Sequence, residues 1–444
     1  MSMLFTPDLV WDGFAARRDW GVLVEGDRIR AVGASESLRS AQGDAPGPHL
    51  SEFSMPGRAI LAAPVNAHSH AFQRSIRGRT QTRPAGEAGA DFWSWRREMY
   101  ERALSMSPDD LHEVSKACFA EMREAGWGSV GEFHYLHRAP DGRPYDDPLL
   151  LSDAVIEAAR AVGLRICLLY VAYATSEIDG SPLGTRQRRF RADTIDEVVR
   201  AVEDLRGRWA GDPRVSVGLA PHSVRAVPAS WWRPLAAAAE ALDMPLHAHV
   251  SEQVREVEEC VAVHGRRPVE LLADEGVLSS RFTAVHATHL TDGEVALLAE
   301  AEARVCGCPS TERDLGDGVL PADRLAASGV AVCLGSDSHT LLDPWEELRL
   351  PEYHLRLIQR RRIVLAEEQD GLMRWAPAAL RAATEVGGAA LRTGAGSLAP
   401  GAPADMVALD LAHSTLAGMA DDSFAESVAV AARAGVATPV ALEG

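Results

Sequence analysis

The sequence predicts an α/β protein, a (β/α)8 TIM-like barrel that carries a small β-sandwich built from both chain ends. Three observations predict it. Eight apolar runs of strand length alternate with helical stretches through the middle of the chain. Short alternating segments separated by Gly and Asp turns occupy both ends. Histidines and an aspartate collect where the middle runs stop, at the end of such a barrel where loops carry the chemistry.

The N-terminal part of the sandwich, residues 1–57, contains Asp8-Leu-Val-Trp11, Trp20-Gly-Val-Leu-Val24 and Arg28-Ile-Arg-Ala-Val-Gly33. Its C-terminal part, residues 394–444, holds a turn-rich stretch ending at Asp405 and then Met406-Val-Ala-Leu-Asp410. The barrel takes residues 58–393. Its first strand is expected within the apolar run 55–70, and the others at 129–135, 165–171, 215–222, 245–250, 282–286, 304–309 and 330–337. Between them, 194–209, 231–242 and 292–302 place apolar residues at every third or fourth position, as a helix packed on a sheet requires.

At 444 residues, with 46% hydrophobic and 24% charged residues and no low-complexity tract, the chain has ample material for a large core. Its 45 basic and 63 acidic residues leave a formal charge of −18, which repels polyanions, so neither nucleic acid nor an acidic membrane is an expected partner. No run approaches the ~18 apolar residues of a membrane span. Six cysteines without any Cys-x-x-Cys read as buried thiols of a cytoplasmic protein. Lys116 is the only lysine and lies in a helical pattern, so no strand-end lysine exists to bridge two metals.

His68-Ser-His70 ends the first run, and residues at i and i+2 of a strand share a face. Alone, such a pair is common by chance. The fifth run ends in His247-Ala-His249-Val-Ser-Glu252, the sixth in His286 and the eighth in Asp337. A lone strand-end His is more often structural, and a lone Asp in Gly-Ser-Asp is more often a turn former. Their coincidence at four strand ends reverses both readings. His68, His70, His249 and Asp337 offer three nitrogens and a carboxylate to one divalent ion, Zn²⁺ first and Fe²⁺ as the alternative.

Such an ion lowers the pKa of bound water from ~15.7 toward ~7, so that metal-bound hydroxide exists at neutral pH. Asp337 is placed to take the water's proton, Glu252 to carry a proton to a leaving nitrogen, and His286 to orient the nucleophile or stabilise the adduct. These roles define a metal-assisted hydrolase. Other motifs fail: His112-Glu-Val-Ser-Lys116 lacks the second His of a zincin helix, and residues 394–399 imitate a dinucleotide fingerprint without a preceding strand. The run Arg360-Arg-Arg362 reads as a solvated helix face.

Pro64-Val-Asn-Ala-His68-Ser-His70, His249-x-x-Glu252, His286 and Gly335-Ser-Asp337 resemble the amidohydrolase superfamily in its mononuclear deaminase branch. Over nearly the whole barrel, His68–Arg74, Phe92-Trp-Ser-Trp-Arg96, Glu132–His137, Ala220-Pro-His222-Ser-Val-Arg225, Gly265–Glu270, His286–Leu290 and Asp343–Arg349 are similar to the N-formimino-L-glutamate deiminases of histidine degradation. The resemblance implies one zinc per chain, hydrolysis of N-formimino-L-glutamate to N-formyl-L-glutamate and ammonia, and a homodimer. A substrate with two carboxylates needs local cations, and Arg96 and Arg225 fall in barrel-end loops, with Gln73, Tyr135 and His222 as further substrate contacts. Trp95-Arg96-Arg97 offers two arginines where the pattern has one, leaving open which faces substrate.

Two readings compete. A purine- or guanine-type aminohydrolase would use the same metal chemistry but needs ring stacking and amide edge readers more than guanidinium clamps. A catalytically inactive barrel that only binds would be expected to have lost one of the site residues, and Glu252 is present.

Overall fold

The computed structural model describes residues 2–40, 50–83, 85 and 92–441. Eight parallel strands, Val65–Ser69, Ser129–His134, Arg165–Ala172, Val215–Pro221, Leu246–Val250, Phe282–His286, Arg304–Gly307 and Val332–Leu334, pair in sequence order. Most of their residues are buried on both faces, as expected of parallel strands covered by helices. The ring closes between its first and last members. Ser69 and Asp337 form a parallel bridge, the Asp337 amide donates to the His68 carbonyl (3.0 Å), and the His70 amide donates to the Asp337 carbonyl (3.2 Å). The backbone that shuts the barrel is therefore the backbone that carries three of the four candidate ligands.

The returning helices start where local chemistry allows. Ser107 and Asp110 form a capping box ahead of Pro108–Ala125, the helix bearing Lys116, and Gly126 ends it at a φ of 106°. Thr194 caps Ile195–Trp209, and Thr291 with Glu294 caps Asp292–Glu300. Trp127, Trp232 and Trp345 are among the largest wholly buried side chains. The six cysteines are free and buried.

Both chain ends meet in one seven-stranded sheet. Leu50–Ala62 runs parallel to Ser2–Trp11 on one side and antiparallel to Met406–Asp410 on the other. The apolar run 55–70, read from sequence as one strand, is two. Leu50–Ala62 belongs wholly to this sheet, and Val65–Ser69 opens the barrel. Pro64 explains the break, because it has no N–H to give to a ladder. The boundary between residues 57 and 58 thus falls inside a strand.

A second correction concerns Arg360–Arg362. The helix Pro344–Gln359 stops before them, with Arg360 at a φ of 54° as its C-cap. The amides of Val364 and Leu365 donate to the buried Glu352 carboxylate at 2.8–3.0 Å and pull the chain back along its own helix. That is a tertiary constraint which charge patterning does not encode. No helix among the described residues is long and apolar enough to cross a membrane.

Candidate metal centre and active site

Four buried donor atoms converge at the mouth of the barrel. The Nε2 atoms of His68, His70 and His249 lie 3.1, 3.1 and 3.3 Å from one another, and Asp337 Oδ1 lies 3.4 Å from His68 Nε2 and 3.2 Å from His70 Nε2. A tetrahedral ion with bonds of about 2.0–2.1 Å sets its ligands about 3.3–3.4 Å apart, so the donor set fits one such ion. Outer partners fix the rings. His70 Nδ1 donates to the Phe133 carbonyl (2.9 Å) and His249 Nδ1 to the His222 carbonyl (3.1 Å), which leaves each Nε2 lone pair free. Asn66 braces the first strand against the last, its amide donating to Ser336 Oγ (2.7 Å) and its Oδ1 accepting the Ser336 amide (3.0 Å).

The electrostatics suit a cation as well. Burial disfavours the imidazolium form, holding His68 down at about 3 and His249 well below its ordinary value. Burial opposes charge on Asp337, but hydrogen bonds with His68 and His70 overcome it and hold the carboxyl well below the usual range. His68 and His249 thus present neutral nitrogens and Asp337 an ionised oxygen, the forms a divalent ion binds.

Around this centre stand Glu252 and His286. Ser251 (φ 51°) and His286 (φ 68°) both sit in the left-handed region, so each strand leaves the barrel through a strained turn that re-aims the next side chains. His286 stacks on His249 with ring centroids 5.5 Å apart, and its Nε2 lies 4.0 Å from both Glu252 Oε1 and Asp337 Oδ2. Burial would depress His286, but the Glu252 charge, a bond with Glu312 and the Asp337 charge raise it to about 10. A cation beside Asp337 acts against that rise.

Every residue singled out from sequence as a substrate contact lines the same cavity: Gln73, Arg96, Tyr135, His222 and Arg225. Gln73 Nε2 donates to Tyr135 Oη at 2.8 Å. Arg96 lies over the rings of Trp93 and Tyr100 and donates to Tyr100 Oη, and it lines the cavity, whereas Arg97 is exposed and outside that lining. His247 lies away from the cluster, Nε2 on the Ala390 carbonyl (3.0 Å). The cavity itself is about 40 Å³, room for little more than one water. A larger hollow, about 490 Å³, lies between residues 322–334 and 375–386 and contains none of these groups, so volume does not identify the site.

Sequence reasoning missed four contributors. Glu256 and Glu312 are buried carboxylates on Arg225 and His286. Tyr100 and Tyr173, whose hydroxyls lie 3.2 Å apart, form a polar wall of the cavity. Glu256 had a signal, since it follows Glu252 by four residues and stands in the first turn of the helix Val254–His264. The others had none.

Comparison with known proteins adds three findings. Residues 59–444 match the amidohydrolase family. The chain is 39% identical over 355 residues to formimidoylglutamate deiminase of Pseudomonas aeruginosa, covering 80% of this chain and 77% of that one. The crystal structure of an amidohydrolase from Brucella melitensis superposes with a TM-score of 0.85 at 34% identity, over 98% of this chain and 92% of that one, and an adenosine deaminase from Xanthomonas campestris with bound zinc shares the fold at 24% identity, with a TM-score of 0.80 over 98% and 92%.

Proposed function

The chain belongs to the amidohydrolase family and is a hydrolase acting on carbon–nitrogen bonds, and from that membership we propose that it converts N-formimino-L-glutamate to N-formyl-L-glutamate and ammonia in histidine degradation. The observation that carries the substrate is the pair of guanidinium groups, Arg96 and Arg225, in the cavity of the four-donor centre on a protein of net charge −18. Local cations attract carboxylates that the overall negative charge would otherwise repel. The relative from Pseudomonas aeruginosa supports the same choice.

His68, His70, His249 and Asp337 would hold one Zn²⁺, with Fe²⁺ the alternative. When bound there, the ion supplies Lewis acidity that makes water nucleophilic near neutral pH. The water oxygen bonds to the formimino carbon while Asp337 accepts its first proton. Both water protons pass in turn, by way of Asp337 and Glu252, to the terminal nitrogen; the bond from carbon to that nitrogen breaks with its electron pair on nitrogen, ammonia leaves and the carbonyl of the formyl product forms. His286 donates toward the oxygen on which charge develops. Arg225 and Arg96, with Tyr135, Gln73 and His222 in the same lining, hold the carboxylates and exclude water. Because the cavity is water-sized as it stands, lining side chains have to shift for substrate to enter.

The same reading divides the chain into a barrel ending near residue 393 and a smaller domain built from both chain ends, with the first boundary moved from 57/58 to the far end of Leu50–Ala62. It places the protein in the cytoplasm, in keeping with six reduced, buried cysteines. It also makes the protein a homodimer. Leu357, Ile358, Ile363, Leu372 and Met373, from 43% to 80% exposed, are large apolar side chains within residues 357–373 that a second copy would cover.

The deciding experiment is incubation with N-formimino-L-glutamate, following ammonia enzymatically and the organic product by NMR. N-formylglutamate and ammonia are expected. Glutamate and formamide, or ammonia released only from a purine panel, would reverse the assignment.

A further inference from the structure

We propose that Glu312 is a positioning residue for His286: its buried carboxylate receives the Nδ1–H of the imidazole and so aims Nε2 at the reacting centre. Nothing in the family match or the metal centre requires this group. The proposal deepens the function argued above, and its activity arm rests on that reading.

The geometry is one-sided. His286 is 1% exposed, and its two ring nitrogens face different acids. Nε2 looks toward the cavity, 4.0 Å from Glu252 and from Asp337. Nδ1 looks away from it, 3.4 Å from Oε1 of Glu312, which is also 1% exposed. A buried carboxylate on Nδ1–H leaves Nε2 as the nitrogen that can exchange a proton with substrate, the logic by which an acid orients an imidazole in a catalytic triad. The contact is long, as such contacts often are before substrate binds.

Glu312 is itself fixed. It stands in the first turn of Pro309–Leu315, and its Oε1 folds back to accept the Cys308 amide at 2.8 Å. Its own carbonyl accepts the Asp317 amide at 2.9 Å. His286, by contrast, lies on a backbone at a φ of 68° followed by Ala287 at 51°, a strained turn that needs an external anchor to hold one ring orientation. Glu312 supplies it from a different strand end.

One other arrangement has to be weighed. Donor atoms of His286, Cys308 and Glu312 lie within 4.8 Å of one another, close enough for a second ion. The engagement of Glu312 with the Cys308 amide argues for the carboxylate–imidazole pair, and the burial that raises the Cys308 thiol well above its ordinary value disfavours the thiolate a metal needs.

The test uses the full zinc-loaded chain labelled with ¹⁵N at histidine. The wild type should show a slowly exchanging, downfield Nδ1–H assigned to His286 by its loss in His286→Asn. In Glu312→Gln that resonance should move upfield or exchange with water. Turnover of N-formimino-L-glutamate by Glu312→Gln should fall about 10- to 100-fold in kcat with KM within about threefold and one zinc retained. In the His286→Asn background the same change should cost nothing further. If Glu312→Gln does not fold, Glu312→Asp, which withdraws the charge by one methylene, should show the same pattern. An unchanged Nδ1–H with full kcat, an equal loss in the His286→Asn background, or a second zinc released by Cys308→Ala would each overturn the proposal. Failure of the wild type to release ammonia would refute the substrate reading instead, and the resonance would still decide the role of Glu312.

Discussion

Arg225 Nη2 lies 2.7 Å from Glu252 Oε2, and both side chains are 5% exposed. The same guanidinium reaches Glu256 through Nε at 3.1 Å and rests over the Phe92 ring, so it is bracketed by two acids and an aromatic face. Its remaining N–H groups are the ones free to meet a substrate carboxylate. On the proposed mechanism, the residue that would bind substrate also holds the residue that would move the proton.

Arg225→Gln should accordingly fail in two ways. Removing one partner of a buried ion pair leaves Glu252 and Glu256 without compensation and costs about 3–5 kcal/mol. Urea melts should show that loss, and steady-state kinetics should show kcat falling together with a rise in KM. A rise in KM alone would mean that Arg225 contacts only substrate. Glu252→Gln, by contrast, should keep its metal and lose turnover.

Metal stoichiometry checks the four-donor centre directly. Elemental analysis should find about one divalent ion per chain, absent from His249→Ala. An ion bound only by the native state at a thousandfold excess over its Kd adds about 4 kcal/mol. Chelation should therefore lower the thermal midpoint of the wild type, zinc should restore it, and His249→Ala should respond to neither.

Gly335 tests the closure of the barrel. A Cβ there would lie 2.7 Å from His68 Cβ and 2.8 Å from the His68 carbonyl oxygen, with no flexible side-chain end to yield. Gly335→Ala should displace the first ligand and weaken metal binding, measured by competition with a chelating dye. Gly207→Ala, in the helix Ile195–Trp209 where a Cβ meets nothing within 4 Å, should instead stabilise by about 0.4–1 kcal/mol.

Acid sensitivity should appear before most carboxylates titrate. His137 is buried with its ring 4.2 Å from that of Tyr170 and its Nε2 donating to the Val171 carbonyl, and burial holds it at about 4. Its folded value lies below the roughly 6.5 of an unfolded chain, so the unfolded state takes up the proton first as pH falls. Stability is complete above pH ~6.5 and declines toward pH ~4, by at most on the order of 3 kcal/mol from this one group. Urea melts at pH 7 and pH 5 should show the decline, and His137→Gln should make it shallower.

How far the sequence could be read depended on the range of the signal. Apolar runs of strand length marked the barrel strands, and the ligand types at the ends of several named the chemistry, because both are properties of a few adjacent residues. The break at Pro64 was local too, and the continuous apolar run masked it. Arg360–Arg362 looked like a helix face because the helical pattern does not announce Glu352 reaching for the amides of residues 364 and 365.

The sequence by itself determined which side chains were available and at which strand ends they would stand. It did so because backbone periodicity ties side-chain direction to position along the chain. Only the tertiary structure decided that the first and eighth strands close on each other through His68, Ser69 and Asp337, that Arg96 rather than Arg97 enters the cavity, and that Glu256 and Glu312 stand behind Arg225 and His286. Those pairings join residues at least 26 positions apart. Their energies arise from shared burial, which exists only once the ring of strands has closed.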